Sequence, residues 1–234
     1  MVYHSVMRLQ VRVPASIAFF AIAKLAWSQG QIIDQGSFTI THNGQRAGRE
    51  DFTIAGTPAA APQELIAKAT VVYGDRRLIP ELRADSQLTP YTYSVEVKNA
   101  GASQEKWRGS ILRGRVSAKI ENARGEAAKE FIASEGALIL DDDVYHQYYF
   151  VARKVTNGTV AVIIPRRNSQ QVLKVASAGA DRVTIGTQEI EARHLVLTDE
   201  SGEQRDLWVD SKGRVLKVAI PSKGIVALRD DPPR

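Results

Sequence analysis

The sequence predicts a mainly β protein, in the form of one curved antiparallel sheet or half-barrel with a single helix packed on its concave face. Two observations support this fold class. Apolar and polar residues alternate with a period of two along most of the chain, and glycine or asparagine turns separate the alternating stretches. In such strands one face meets a hydrophobic core and the other meets water.

The first hairpin is predicted at residues 37–42 and 49–54. Asn43 and Gly44 lie between the two strands, and an Asn-Gly pair favours a type I′ turn because both of its central residues take positive φ. Residues 57–62 come next and are rich in alanine and proline. They are predicted to form a loop within one domain, because a strand pattern follows at once.

The clearest strand covers residues 91–98. Its alternation places Tyr91, Tyr93, Val95 and Val97 on one face, with a polar residue at each position between them. Further strands are predicted at residues 65–73, 78–84, 107–112, 115–121, 127–132, 159–164, 171–176 and 182–185, and in a meander at 189–198, 206–210, 214–220 and 224–228.

One helix is predicted at residues 143–154. Val144, Tyr148 and Val151 share one helical face there, at positions i, i+4 and i+7. The acidic residues 141–143 lie at its start. They are predicted to cap the helix, because carboxylates accept hydrogen bonds from the free N–H groups of a first turn.

The amino end has the pattern of a secretory signal peptide. Arg8 and Arg12 precede the uncharged apolar residues 13–23, and no acidic residue occurs before Asp34. The apolar stretch is too short to span a bilayer, which needs about 20 residues. We therefore expect export rather than a membrane anchor.

Small residues offer two cleavage sites, one after Ala23 and one after Ser28, and the site after Ser28 is favoured. The predicted organisation is a signal peptide at residues 1–28 and a single β-rich domain at residues 29–234. The mature domain is then expected in the periplasm, with no transmembrane segment.

Composition excludes several functional classes. The chain has no cysteine, which removes disulfides, thiol nucleophiles and a lipid-modified cysteine. Its net charge is +5, and three uncompensated cations lie within residues 1–28, which leaves +2 on the mature domain. That small excess argues against a nucleic-acid partner.

Two clusters of acidic residues are candidates for a metal-binding or catalytic site. Residues 141–143 with His146 could hold a divalent metal, but capping of the helix explains the three carboxylates, so no metal is predicted. Glu189 and Glu191 share one face of a strand and leave a hydrolase open as a minor alternative. Nucleophile elbows and phosphate-binding loops are missing from the sequence, so no catalytic residue and no cofactor are predicted.

Aromatic side chains are the remaining candidates for a binding site. Tyr91, Tyr93, Trp107 and Tyr148 are predicted to face the concave side of the sheet, where an apolar ligand can lodge. Packing in the core is the competing interpretation of the same residues.

Two motifs suggest a family. Residues 36–40 and 48–52 read G-x-F-x-I and G-x-E-x-F, and residues 208–215 read W-x-D-x-x-G-x-V. The chain resembles exported bacterial domains of unknown function that open and close with these motifs. Those domains are similar to the half-barrels of the periplasmic lipoprotein-sorting proteins, which implies a sheet wrapped round a helical plug and no catalytic residues.

Together these observations predict a non-enzymatic periplasmic domain that binds an apolar or lipid-like ligand, or a lipoprotein, in a curved sheet. The alternative is a structural or interaction domain of the envelope that binds a partner chain through the edges of its sheet.

Overall fold

A computed structural model describes residues 31–57 and 64–234, so the predicted signal peptide and most of the predicted loop at residues 57–62 lie outside the described residues. The described residues form one sheet of fifteen strands and one α-helix. The elements are Gln31–His42 (β1), Gln45–Gly56 (β2), Glu64–Tyr73 (β3), Arg76–Asp85 (β4), Pro90–Asn99 (β5), Ala102–Leu112 (β6), Arg115–Asn122 (β7), Gly125–Ile132 (β8), Leu138–Ile139 (β9), Tyr148–Lys154 (α1), Gly158–Ile164 (β10), Ser169–Ile185 (β11), Gln188–Thr198 (β12), Gln204–Val209 (β13), Val215–Ile220 (β14) and Ile225–Arg229 (β15).

The first and last strands of the sheet, β1 and β15, lie next to each other in its middle. Strands β1 to β8 follow one another outward in one direction, the chain then crosses to β9, and β9 to β15 lead back until β15 pairs with β1. All neighbours are antiparallel except β9 and β10. The sheet is curved and unclosed, which confirms the predicted fold class.

The first hairpin is confirmed with its turn. Asn43 and Gly44 have φ values of 49° and 77°, as a type I′ turn requires. Thr39 lies opposite Arg49, and two register shifts bend β1 against β2.

Alternation along the strands builds the main core on the concave side. On β5, Tyr93, Val95 and Val97 are buried while the residues between them are partly exposed. The same period-2 pattern buries side chains on β3, β4 and β7. A single hydrophobic cluster therefore runs through both halves of the sheet.

The helix is shorter than predicted. It spans Tyr148–Lys154, and its N-cap is Gln147, which makes no side-chain capping bond. Capping by residues 141–143 is therefore wrong, because those carboxylates bind arginine side chains instead. We refer to residues 137–154, which include β9 and α1, as the central segment.

The strands predicted at residues 171–176 and 182–185 are one strand, β11. A register shift between Ser177 and Gly179 interrupts the alternation without ending the pairing with β12. Within residues 31–57 and 64–234, no helix has the length and apolar character needed to cross a membrane.

Gly109 provides a test of the packing inside β6. A Cβ atom at this position would come within 2.3 Å of the Trp107 ring, which is fully buried. Gly109→Ala is therefore expected to displace the indole and lower the free energy of unfolding by about 1–3 kcal/mol. Chemical denaturation measures this loss, and Ser110→Ala on the other face of β6 is the control. Equal stability of the two variants would contradict the packing described.

Candidate functional site

The concave face of the sheet is occupied by the central segment. Fourteen of its residues are buried. Three of them are polar, namely Asp141, His146 and Gln147. The other eleven are hydrophobic side chains of the core, namely Ala137, Leu138, Ile139, Leu140, Val144, Tyr145, Tyr148, Tyr149, Phe150, Val151 and Ala152. Its end is fixed to turns on both halves of the sheet, because Lys154 Nζ donates to the Gln87 carbonyl and Arg153 Nη1 donates to the Lys212 carbonyl. The predicted binding space is therefore filled by the chain itself.

Three of the four predicted ligand-binding aromatics lie in this packed interior. Tyr93 and Trp107 are in contact, with ring centroids 5.8 Å apart. The Tyr93 hydroxyl donates to Asp141 at 2.9 Å, and the Trp107 indole N–H donates to Asn168 at 3.2 Å. Tyr148 is 5% exposed on α1. Burial raises the pKa of the Tyr93 and Tyr148 hydroxyls well above their ordinary value.

Tyr91 does not share a face with Tyr93, so that part of the prediction is wrong. A register shift between β4 and β5 leaves Tyr91 as an extra residue. Its hydroxyl consequently reaches Glu64 on the outer face, beside Arg83. Desolvation, together with the hydrogen bond to Glu64, raises the pKa of Tyr91 to about 12.

The three consecutive aspartates form ion pairs with three arginines. Asp141 pairs with Arg166 at 2.9 Å and Asp142 with Arg167 at 2.6 Å. Asp143 pairs with Arg76 of β4 at 3.1 Å. Asp143 also lies 3.8 Å from Arg166, so this guanidinium contacts two of the three carboxylates. Residues 31–57 and 64–234 contain no group of three histidines or acidic residues placed to hold a metal.

Desolvation raises the pKa of Asp141, and the neighbouring Arg166 guanidinium opposes that effect. Such a buried pair is sensitive to the loss of either partner, because the remaining charge has no water to stabilise it. Arg166 itself has little contact with water, since its side chain is 11% exposed.

Glu50 is the fully buried anchor of the central segment. Its carboxylate accepts hydrogen bonds from the backbone N–H of Tyr145 at 2.6 Å and of His146 at 3.1 Å. It also accepts one from His146 Nδ1. The His146 ring stacks on Phe52 at 5.8 Å, and its Nε2 atom has no hydrogen-bond partner.

A small enclosed cavity of about 30 Å³ lies beside Tyr148, between the central segment and β13. Two buried polar atoms on its lining residues lack partners, Gln171 Oε1 and Arg205 Nη1. This volume suits one water molecule, which needs roughly 10–15 Å³ of such space. It is too small for an apolar ligand.

A much larger space lies outside the core. A cleft of about 880 Å³ covers the outer face of β1 to β4 near the start of β1. We call it the outer cleft; it is lined by residues 32–36, 51–53, 68–70, 79, 229, 231, 232 and 234. Ile32 and Ile79 are 56% and 36% exposed there, so apolar surface faces the solvent.

The outer cleft extends to a buried ion pair that joins the two halves of the sheet. Arg229 on β15 donates to both carboxylate oxygens of Asp34 on β1, at 2.7 and 3.1 Å. Its guanidinium lies 5.3 Å from the Phe52 ring centroid. Gly36 lies against this side chain, and a Cβ atom at position 36 would come 2.8 Å from Arg229 Nη2.

Sequence reasoning missed both Glu50 and the Asp34–Arg229 pair. Glu50 and Arg229 lie at positions where the alternation of their strands points the side chain inward. A charged residue at such a position was the sequence signal that could have revealed them. Glu189, one of the two predicted acid–base candidates, is exposed and pairs with Arg182 at 3.1 Å. Glu191 is exposed as well.

Comparison with known proteins gives one family match. Residues 92–228, more than half of the chain, match the family described as a domain of unknown function (DUF6134). No curated protein matches the sequence.

Comparison with solved structures gives two similar proteins. A β-barrel-like protein of the DUF1849 family from Brucella abortus is 8% identical, over 86% of this chain and 97% of that chain, with a TM-score of 0.57. A DUF1089-family protein from Pseudomonas aeruginosa is 12% identical, over 71% of this chain and 87% of that chain, with a TM-score of 0.42. At such low identity the first similarity concerns the fold alone.

Removal of the Glu50 carboxylate tests how the central segment is held. Glu50→Ala leaves the donors of Tyr145 and His146 buried without an acceptor, so the free energy of unfolding should fall by about 3–5 kcal/mol. The neighbouring Asp51→Ala removes only an exposed ion pair with Arg49 and should cost under about 1 kcal/mol. Denaturant titration of both variants measures the difference, and similar losses would argue against the anchoring role of Glu50.

Proposed function

This chain belongs to the DUF6134 family, and we propose that it is a non-enzymatic domain of the bacterial envelope that binds an apolar, lipid-like ligand in the outer cleft. The observation that carries this proposal is the cleft itself. Its volume of about 880 Å³ falls within the range of small-molecule sites, roughly 300–1,000 Å³. It also exposes two isoleucine side chains, Ile32 and Ile79.

The interior is the less favourable place for such a ligand. The central segment fills it with buried aromatic and aliphatic side chains. A ligand there would have to displace packed side chains and break the buried hydrogen bonds of Glu50 and Asp141. Each buried polar group left unpaired costs about 1–3 kcal/mol, so entry is opposed.

The outer cleft combines apolar surface with charges of both signs. Ile32, Ile33 and Ile79 provide the apolar part. Lys68 and Asp51 lie on its lining, and each has a salt-bridge partner on the surface, Glu81 and Arg49. An acyl chain with a zwitterionic headgroup matches this arrangement, since each headgroup charge meets a lining residue of opposite sign.

Export completes the proposal. The described sheet starts at Gln31, so cleavage after Ser28 would remove the predicted signal peptide and leave β1 intact. The absence of cysteine from the whole sequence is compatible with a periplasmic domain that needs no disulfide. We also propose that the chain is related to the half-barrels of the periplasmic lipoprotein-sorting proteins. The curved open sheet supports this relationship.

Ligand binding is testable with a matched pair of variants. We expect a fluorescent zwitterionic lysophospholipid to bind residues 29–234, and Ile79→Asp to raise its dissociation constant about tenfold or more, because a carboxylate would be placed against the acyl chain. Leu112→Asp is the control, since Leu112 is 73% exposed and lies outside the outer cleft. Fluorescence titration measures both.

Native mass spectrometry of the protein purified from the periplasm adds an independent readout. A co-purifying amphiphile that the Ile79→Asp variant lacks would support the outer cleft. Failure of the unaltered protein to bind the probe, or equal binding by both variants, would overturn the proposal.

Export is tested by cell fractionation followed by sequencing of the mature amino terminus. We expect the protein in the periplasmic fraction with Gln29 as its first residue. Replacement of Arg8 and Arg12 by glutamate should retain the precursor in the cytoplasm, because the positive n-region is lost. Unprocessed wild-type protein in the cytoplasm would exclude the predicted location.

A further inference from the structure

Strand β8 is an exposed edge of the sheet. It pairs with β7 on one side and with no other strand among residues 31–57 and 64–234. Seven of its eight residues are exposed, and only Phe131 is half-buried. An eight-residue strand with a free side presents backbone groups that another extended chain can bind.

The opposite edge of the sheet, at β9, is short and buried. Strand β9 has two residues, Leu138 and Ile139, and both side chains are buried. It belongs to the central segment and lies close to β5. Of the two outermost strands of the described sheet, β8 is therefore the one with a long exposed edge.

The hairpin geometry shows which backbone groups of β8 point outward. The turn between Asn122 and Gly125 has two central residues, so the Gly125 N–H faces β7 in the usual pattern of a tight turn. Hydrogen-bonded and open pairs alternate along antiparallel strands. The N–H groups of Glu126, Ala128 and Glu130 consequently point away from β7.

The side chains along this edge carry a recognisable pattern. Ile132 lies across from Arg115, which lies across from Leu112, and the two apolar side chains are 74% and 73% exposed. Glu126 and Glu130 lie on the same outer face as Ile132, while Lys129 lies on the inner face, opposite Ala118.

We propose that β8 binds an extended segment of a partner protein, which adds to the sheet as an antiparallel strand. The partner segment carries an apolar residue opposite Ile132 and basic residues opposite Glu130 and Glu126. On its other face an acidic residue lies opposite Lys129. Main-chain hydrogen bonds supply the affinity and these side chains supply the register.

A second copy of this chain fits the edge less well. Two β8 strands can pair symmetrically and antiparallel with their outer faces on the same side of the sheet. In such a pair one residue must lie opposite the same residue of the other copy. Centring on Ala128 places Glu126 opposite Glu130 of the other copy, and centring on Lys129 places two lysines opposite each other. Centring nearer the amino end of β8 leaves Ile132 unpaired.

The proposal is tested with the mature chain, residues 29–234, and a synthetic peptide. The peptide Val-Thr-Lys-Glu-Val-Thr-Lys places its residues opposite Ile132 to Glu126 in antiparallel order. We expect binding by isothermal titration calorimetry, and slower hydrogen exchange at the amides of Glu126, Ala128 and Glu130. A peptide of the same composition in scrambled order should bind at least about tenfold more weakly.

Two variants test the contribution of β8 to peptide binding separately from that of the rest of the molecule. Ala128→Pro removes an outward N–H group, and proline is tolerated at the solvent side of an edge strand. Ile132→Lys removes the apolar contact without altering the backbone. Each should weaken peptide binding about tenfold or more, while both retain the thermal unfolding midpoint within a few degrees and bind the lysophospholipid as before.

Several results would overturn the proposal. Equal binding of the ordered and scrambled peptides, or unchanged exchange at the β8 amides, excludes strand addition. Unchanged binding by the Ile132→Lys variant excludes the assigned register. A dimer in light scattering that Ala128→Pro dissociates assigns the edge to a second copy instead. The ligand in the outer cleft is independent of all these outcomes.

Discussion

Pairing of β1 with β15 is the constraint on which the rest of the sheet depends. This pairing joins two halves, β1 to β8 and β9 to β15, into one hydrogen-bonded sheet. The buried pair between Arg229 and Asp34 ties the two strands by side chains as well. Loss of one partner from a buried pair leaves an unpaired charge, which costs about 3–5 kcal/mol. The curvature of the sheet, the core and the outer cleft all depend on the pairing of β1 with β15.

The central segment explains why a half-barrel of this size has a solid interior. An unclosed sheet of fifteen strands has a large apolar concave face, and the hydrophobic effect favours covering it. The chain supplies the cover itself, and polar contacts with Glu50, Tyr93 and Arg166 fix its position. Space for a ligand therefore lies outside the core, and the residues that line it lie before and after the matched family segment of residues 92–228.

Much of the fold could be predicted because its signals are local. The Asn43-Gly44 turn and the alternation along β5 need only neighbouring residues, and both are confirmed. The errors arise where a distant partner overrides a local preference. Asp141 binds Arg166 rather than the helix end, and a register shift turns Tyr91 to the outer face. The predicted aromatic site likewise contains residues that packing makes part of the core.

By itself the sequence determined the class of the fold, the number and order of most strands, and the position of the one helical stretch near Tyr148, because periodicity and turn chemistry act over a few residues. Only the tertiary structure decided where Glu50 and Arg229 find their partners, since those lie about a hundred residues or more away in the chain. The tertiary structure also decided that the concave face is filled and that β8 remains an open edge. These features depend on how the two halves of the sheet meet, which no local pattern encodes.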